Sequence, residues 1–189
     1  MALSRRGRRT CRSCKAKYVP DRENQLVCSF ECGIPYGREL ARKARERAQR
    51  ARKTAFRDND RALQAKLAQK SFNAYIRERD AGLPCVSCGR MHEGQWHAGH
   101  YRPTGNNSAL RFNEINCHRQ CAPCNAHKSG NLSEYRIELI QRIGIDLVEW
   151  LERDHPKVTP WTPAELKAIN QYYREALKNL KLFPQGGIS

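Results

Sequence analysis

Cys85 and Cys88, in "CVSCG", and Cys121 and Cys124, in "CAPCN", are two thiol pairs of the form C-x2-C. Each pair can sit on one tight turn, and four thiolates brought together meet the tetrahedral preference of zinc. Cys11 and Cys14, followed by Cys28 and Cys32, repeat the arrangement near the N-terminus as C-x2-C and C-x3-C. Nine cysteines, with Cys117 left over as a free thiol, therefore predict two structural Zn2+ sites. A zinc ion saturated by thiolates has no open position, so its task is to hold chain segments together. Between the second and third C-x2-C pairs lie His92, His97, His100, Asn113, Asn116 and His118, and Asn125 and His127 follow directly. Imidazoles and a carboxamide converging on such a frame can bind a second, hard divalent ion and leave one histidine free as a base. His92 and His155 look incidental to that arrangement.

The elements that must position these groups are read from charge and periodicity. The net charge is +16 and the pI about 9.8, which points to a polyanionic partner, nucleic acid first. Only 39% of residues are hydrophobic and 8% aromatic, which argues for small metal-stapled modules joined by a charged helix. There is no apolar run of the roughly 20 residues a membrane span needs, and no signal-peptide pattern. A reducing cytoplasm, where cysteines bind metal rather than pair, is expected.

Residues 1–36 form an N-terminal zinc-binding module, a zinc ribbon or treble clef led by a basic arm over 1–10. Tyr18, Val19, Leu26, Val27 and Phe30 are its candidate core. Residues 37–80 are a basic helical linker, one helix or two, starting near Gly37. Arg42, Arg45 and Arg52 are its phosphate-contact candidates, and Leu63, Leu67, Phe72, Tyr75 and Ile76 form a docking stripe. Residues 81–145 carry a hairpin with strands in "EGQWHAGHYRP" and "ALRFNEINCHRQ". The second knuckle then runs straight into a helix with Pro123 in its first turn, and "LSEYRIELIQRIG" is helical to Gly144. Residues 146–189 supply helices that pack on this core. Asp146 is a candidate N-cap for the first, and Thr162, Pro163 and Glu165 form a capping box for the last. Leu166, Ile169, Tyr173, Leu177 and Leu180 mark the apolar face of that last helix. Arg102, Arg111 and Lys128 are further phosphate-contact candidates, while Trp96 and Tyr101 read as packing residues. The fold class is α+β, mainly helical.

Two zinc knuckles flanking a histidine-bearing hairpin, then a helix, resemble the ββα-metal (HNH) nuclease family, in particular its phage junction-resolvase branch typified by endonuclease VII. Cys85/Cys88, His100 and Cys121/Cys124/Asn125 match that branch in order. At greater length, "NAYIRERD", "LPCVSCG", "AGHYR" and "HKSGN" resemble the NinG (Rap) family of phage recombination proteins over most of the chain. The resemblance implies an HNH-like core and a structure-specific endonuclease that cuts branched double-stranded DNA in a host bacterial cytoplasm. It implies His100 as general base, Asn116 bonding across the hairpin loop to aim it, and Mg2+ or Mn2+ held by Asn125, His97 and His127. Family members commonly carry Asp or His just before the base, where this chain has Gly99. His97 would replace that ligand if the strand bent at Ala98-Gly99; alternatively His97 is the base and His100 the ligand. A homodimer and phage recombination proteins are the further partners expected. The rival classes are a non-catalytic zinc-bearing DNA-binding accessory protein, which Gly99 favours, and an RNA-associated zinc protein.

Overall fold

The computed structural model describes residues 7–105, 107–153, 155 and 160–183. Residues 1–6 of the expected basic arm and 184–189 of the C-terminal segment lie outside them. The described elements are β1 (Arg9–Thr10), β2 (Lys17–Tyr18), α1 (Phe30–Asn59), α2 (Arg61–Arg79), β3 (Trp96–His100), β4 (Cys117–Cys121), α3 (Leu132–Ile143), α4 (Ile145–Glu152) and α5 (Pro163–Leu182). The molecule is thus α+β and mainly helical. It divides into two compact units, Met1–Phe56 and Arg57–Ser189.

In the first unit β1 and β2 pair antiparallel, Arg9 opposite Tyr18. The expected apolar core does not form, because Val19 and Phe30 are 59% and 81% exposed and only Tyr18 and Val27 are half-buried. So short a segment cannot enclose five apolar side chains without a staple. Helix α1 begins at Phe30, ahead of Gly37, and so takes Cys32 into its first turn. Pro35 lies inside it, past the first turn, and so removes one i→i−4 bond, the one to the Glu31 carbonyl. No residue of α1 is buried, as a helix basic around most of its circumference requires.

In the second unit Asp60 is extended, and its carboxylate accepts the Leu63 N–H at 3.0 Å, which starts α2 as a separate helix. β3 and β4 pair antiparallel, Trp96 opposite Cys121 through His100 opposite Cys117. This hairpin is covered on both faces. On one, Phe72 and Ile76 of α2 and Tyr173 of α5 pack with Cys117 and Ala98. On the other, Tyr135 and Leu139 of α3 and Val148 and Leu151 of α4 join Val86, Tyr101 and Leu110. Alternation of side chains along a strand assigns Ala98 and His100 to the first face, His97 and Gly99 to the second. Arg79 and Asp80, at the end of α2, fasten it to the hairpin: Arg79 donates to the Cys117 carbonyl at 2.9 Å, and Asp80 accepts the Arg119 N–H at 2.9 Å. Helix α5 runs beside α2 in the same direction, with Lys167 paired to Asp58 at one end and Lys181 to Glu78 at the other. Its capping box of Thr162 and Glu165, with Pro163 in the first turn, forms as expected.

Three local expectations change. "ALRFNEIN" is not a strand but two 3-10 turns, Ser108–Leu110 and Glu114–Asn116, the second capped by the Asn113 side chain. The second knuckle does not continue into a long helix: a π-helical turn, Pro123–His127, ends where Ser129, Gly130 and Asn131 take positive φ, and α3 starts afresh at Leu132. Asp146 lies in the first turn of α4, whose cap is Gly144. Among the described residues no helix is long and apolar enough to cross a membrane.

Candidate functional site

The two cysteine quartets, Cys11/Cys14/Cys28/Cys32 and Cys85/Cys88/Cys121/Cys124, each bring four sulfur atoms within 4.8 Å of one another. Cys28 Sγ lies 3.6 Å from both Cys14 Sγ and Cys32 Sγ. A tetrahedron with Zn–S bonds of about 2.3 Å has edges of about 3.8 Å, so these spacings suit zinc. The two C-x2-C turns are built alike. The residue after each pair adopts a left-handed backbone, Lys15 at φ 68° and Gly89 at φ 63°. Its N–H bonds back to the first cysteine's carbonyl, Lys15 to Cys11 at 3.1 Å and Gly89 to Cys85 at 2.9 Å. Backbone N–H groups also point at sulfur: Cys28 at Cys11, and Ser87 and Cys121 at Cys85, each 3.4 Å. Burial pushes the Cys11 thiol up, but the N–H groups of Cys28, Cys14 and Ser13 outweigh it and bring its pKa down to about 6. Cys85 shifts downward for the same opposed reasons. Each quartet thus has a thiol poised to be a thiolate ligand. His92, with no expected role, places Nε2 3.1 Å from Cys88 Sγ.

On the framed hairpin, His97 Nδ1 and Asn125 Nδ2 meet at 2.9 Å, the strand facing the knuckle turn. The amide donates, so His97 carries its proton on Nε2, which is buried without a partner among the described residues. β3 needs no bend for this, since His97 already shares a face with position 99. Beside the pair opens a cleft of about 490 Å3, walled by Asn73 and Arg77 of α2, by residues 95–98, and by Asn125. None of its lining residues is acidic. Sequence reasoning gave Asn73 and Arg77 no role, and their one signal is spacing: four residues apart, they share a helical row.

His100 lies on the opposite face from His97. Its ring stacks on Phe72 at 6.0 Å, and its Nε2 donates to the Arg111 carbonyl at 2.9 Å. A carbonyl can only accept, so the neutral ring keeps its lone pair on Nδ1. Burial lowers its pKa below 6.5, the Arg111 carbonyl opposing and the Arg111 charge assisting. Asn116, fully buried, closes the loop that presents Arg111. It accepts the Arg102 N–H at 2.8 Å and donates to the Arg102 and Leu110 carbonyls at 3.1 and 3.2 Å.

Gly99 has a steric cause. A Cβ there would meet Gln120 Oε1 at 2.1 Å. Gln120, 1% exposed, donates to Ser87 Oγ and to the Gly130 carbonyl, both at 2.6 Å, and so ties the hairpin to both knuckles.

The remaining candidates are not gathered with these. His127 and Lys128 are exposed at the end of the π-helical turn. Arg111 donates to Gln69 at 3.3 Å, and Arg102 is half-buried. Arg42, Arg45 and Arg52 are exposed on α1, Arg42 pairing with Glu46 at 2.6 Å. His118 is buried beside Tyr135, and Trp96 carries the Arg119 guanidinium 3.7 Å over its ring. Among the described residues, the cysteine quartets are the only groups of three or more His, Cys, Asp or Glu close enough to share an ion.

Residues 3–182 match the family model described as Bacteriophage Lambda NinG protein. The chain is 43% identical to protein ninG of Salmonella phage P22, over 95% of this chain and 97% of that protein. It is 42% identical to protein ninG of Escherichia phage lambda, over 95% and 96%. It belongs to the NinG family of phage proteins. No solved structure matches it.

Proposed function

We propose that the chain is a metal-dependent endonuclease that cuts branched DNA during phage recombination, with an HNH-like centre on the β3–β4 hairpin. The observation that carries this reading is the His97–Asn125 pair at 2.9 Å, with an unpartnered buried ring nitrogen, opening on a cleft that also holds Arg77. An imidazole and a carboxamide are a sparse donor set. They suit a borderline ion such as Mn2+ better than Mg2+, and phosphate oxygens and water would fill the rest of its shell. An ion would be held there by Asn125 through Oδ1 and by His97 through Nε2 once the ring proton moves to Nδ1 and the Asn125 amide turns over, and it would offset negative charge on the phosphate and on the departing 3′ oxygen.

The chain's own residues do the rest. His100 faces α2 and is not a lining residue of the cleft. In this reading a water that reaches its Nδ1 gives up a proton there, its oxygen bonding to phosphorus as the bond to the 3′ oxygen breaks, which leaves a 5′ phosphate and a 3′ hydroxyl protonated from solvent. Burial shifts the His100 pKa downward, which favours the neutral ring a base requires. Asn116 holds the loop whose Arg111 carbonyl fixes the ring. His127 is exposed and is not among the residues that line the cleft. The Cys85/Cys88/Cys121/Cys124 quartet keeps hairpin and knuckle at fixed separation, and the basic helix α1 supplies phosphate contacts.

A labelled four-way junction with Mn2+ or Mg2+ tests this. His100→Ala and His97→Ala should each lower cutting at least about 10²-fold while junction binding survives. Raised Mn2+ should partly rescue His97→Ala but not His100→Ala; the reverse would exchange their roles. The absence of a carboxylate from the cleft favours one other reading, a zinc-bearing DNA-binding accessory protein. Wild-type protein that binds the junction but leaves it intact with either ion would establish it.

A further inference from the structure

The cleft's lining says what kind of group enters it. Of its polar lining residues only Arg77 carries a fixed charge, and no Asp or Glu is among them. Arg77 has neither an ion pair nor a hydrogen bond among the described residues, whereas Arg79, two residues on, is tied to Asp80, Glu114 and Cys117. Arg77 is half-buried as a residue, and none of its guanidinium nitrogens is a buried unpartnered atom, so the fork stays open to the cleft and free to meet an anion. Asn73, one turn before it, accepts the Gln69 amide at 2.7 Å through Oδ1, which leaves its N–H groups to donate. Gln69 in turn accepts from Arg111 at 3.3 Å, so the row reaches the loop that holds His100. The α2 wall is thus made of donors, and His97 and Asn125 line the same cleft.

We infer that Arg77, assisted by Asn73, holds a backbone phosphate of the nucleic-acid strand in this cleft, which His97 and Asn125 also line. If the endonuclease reading holds, that phosphate is the scissile one. Arg77 is then a substrate-binding residue of the reaction, and the anion enters a site that lacks the carboxylates needed to keep a hard cation by itself.

Equilibrium binding of the four-way junction to the full chain, measured across salt concentrations without divalent ion, tests the phosphate contact independently of cutting. Arg77→Gln should reduce the slope of log K against log salt by about one phosphate contact, and Arg77→Lys should restore it. In the Mn2+ cleavage assay Arg77→Gln should cut about 10²-fold more slowly, and Arg77→Lys should recover only part of that, because an ammonium lacks the planar fork. A wild-type slope for Arg77→Gln overturns the proposal. So does an equal loss for Arg77→Gln and Arg77→Lys, since charge would then be irrelevant. If the wild type binds but never cuts, the endonuclease reading falls while the slope still decides the role of Arg77.

Discussion

Replacing Gly99 with alanine adds one methyl group at the most crowded point of the hairpin. The new Cβ would lie 2.1 Å from Gln120 Oε1, 3.0 Å from its Cδ and 3.1 Å from its Cβ. Gln120 can answer in two ways. It can stay and be compressed, at about 1–3 kcal/mol for overpacking. It can swing away and lose its two 2.6 Å bonds to Ser87 and Gly130, at about 1–3 kcal/mol for buried groups left unpaired. These are alternatives, so the expected cost is about 1–3 kcal/mol, a fall of roughly 3–10 °C in Tm. Denaturation of the zinc-loaded wild type, Gly99→Ala, Gln120→Ala and the double variant closes a cycle. On the Gln120→Ala background, Gly99→Ala should cost less than about 0.5 kcal/mol, because the obstructing amide is gone. An equal cost on both backgrounds, or none on the wild type, would refute the steric account. Gly99→Asp should behave worse still and gain no metal-dependent cutting, since its side chain would enter the space of the Gln120 amide.

Other expectations follow from the same geometry. Metal analysis should find about two Zn2+ per chain, and a strong chelator should unfold the hairpin region, structural zinc being worth roughly 10–16 kcal/mol in small domains; retained near-UV dichroism after complete zinc loss would contradict this. Burial drives the His118 pKa from 6.5 down to about 4, with Arg79 lowering and Asp80 raising it. The unfolded chain therefore binds the proton first, so this contribution is complete above pH 6.5 and is lost as pH falls toward 4, costing about 2–3 kcal/mol by pH 4.5. His118→Gln should lack that part of the acid destabilisation, and an unchanged pH profile would sink the assignment. Alanine at Arg42, Arg45 and Arg52 together should cut the salt slope of DNA binding by about two to three; a slope unaltered would remove α1 from the phosphate contacts.

What could be read in advance was whatever depends on neighbours in sequence. The thiol pairs follow from C-x2-C and C-x3-C spacing, and the α5 capping box from Thr162, Pro163 and Glu165, because each is settled within a turn or two of chain. The end of the helix after Cys124 was hidden because Ser129 and Asn131, rather than glycine alone, take the left-handed backbone there. The "ALRFNEIN" stretch misled through its apolar residues. Leu110 and Phe112 do pack inward, but from 3-10 turns and a loop whose shape is set by Asn113 and Asn116. Arg77 and Asn73 could not be foreseen as cleft residues, because α2 reaches the hairpin only through tertiary packing.

Gly99 shows why one position should not be judged apart from its strand. Taken alone it reads as a lost ligand, which favours a decayed site. In the hairpin, positions 97 and 99 point to the same side, and the space at 99 belongs to the amide of Gln120. A donor moved by one or three residues would face α2 and the aromatic cluster around Phe72; moved by two, it still faces Asn125, where His97 is found at 2.9 Å. The glycine and the histidine therefore answer one constraint: a hairpin locked to both knuckles through Gln120 has room for a side chain facing the knuckle turn at 97 and none at 99.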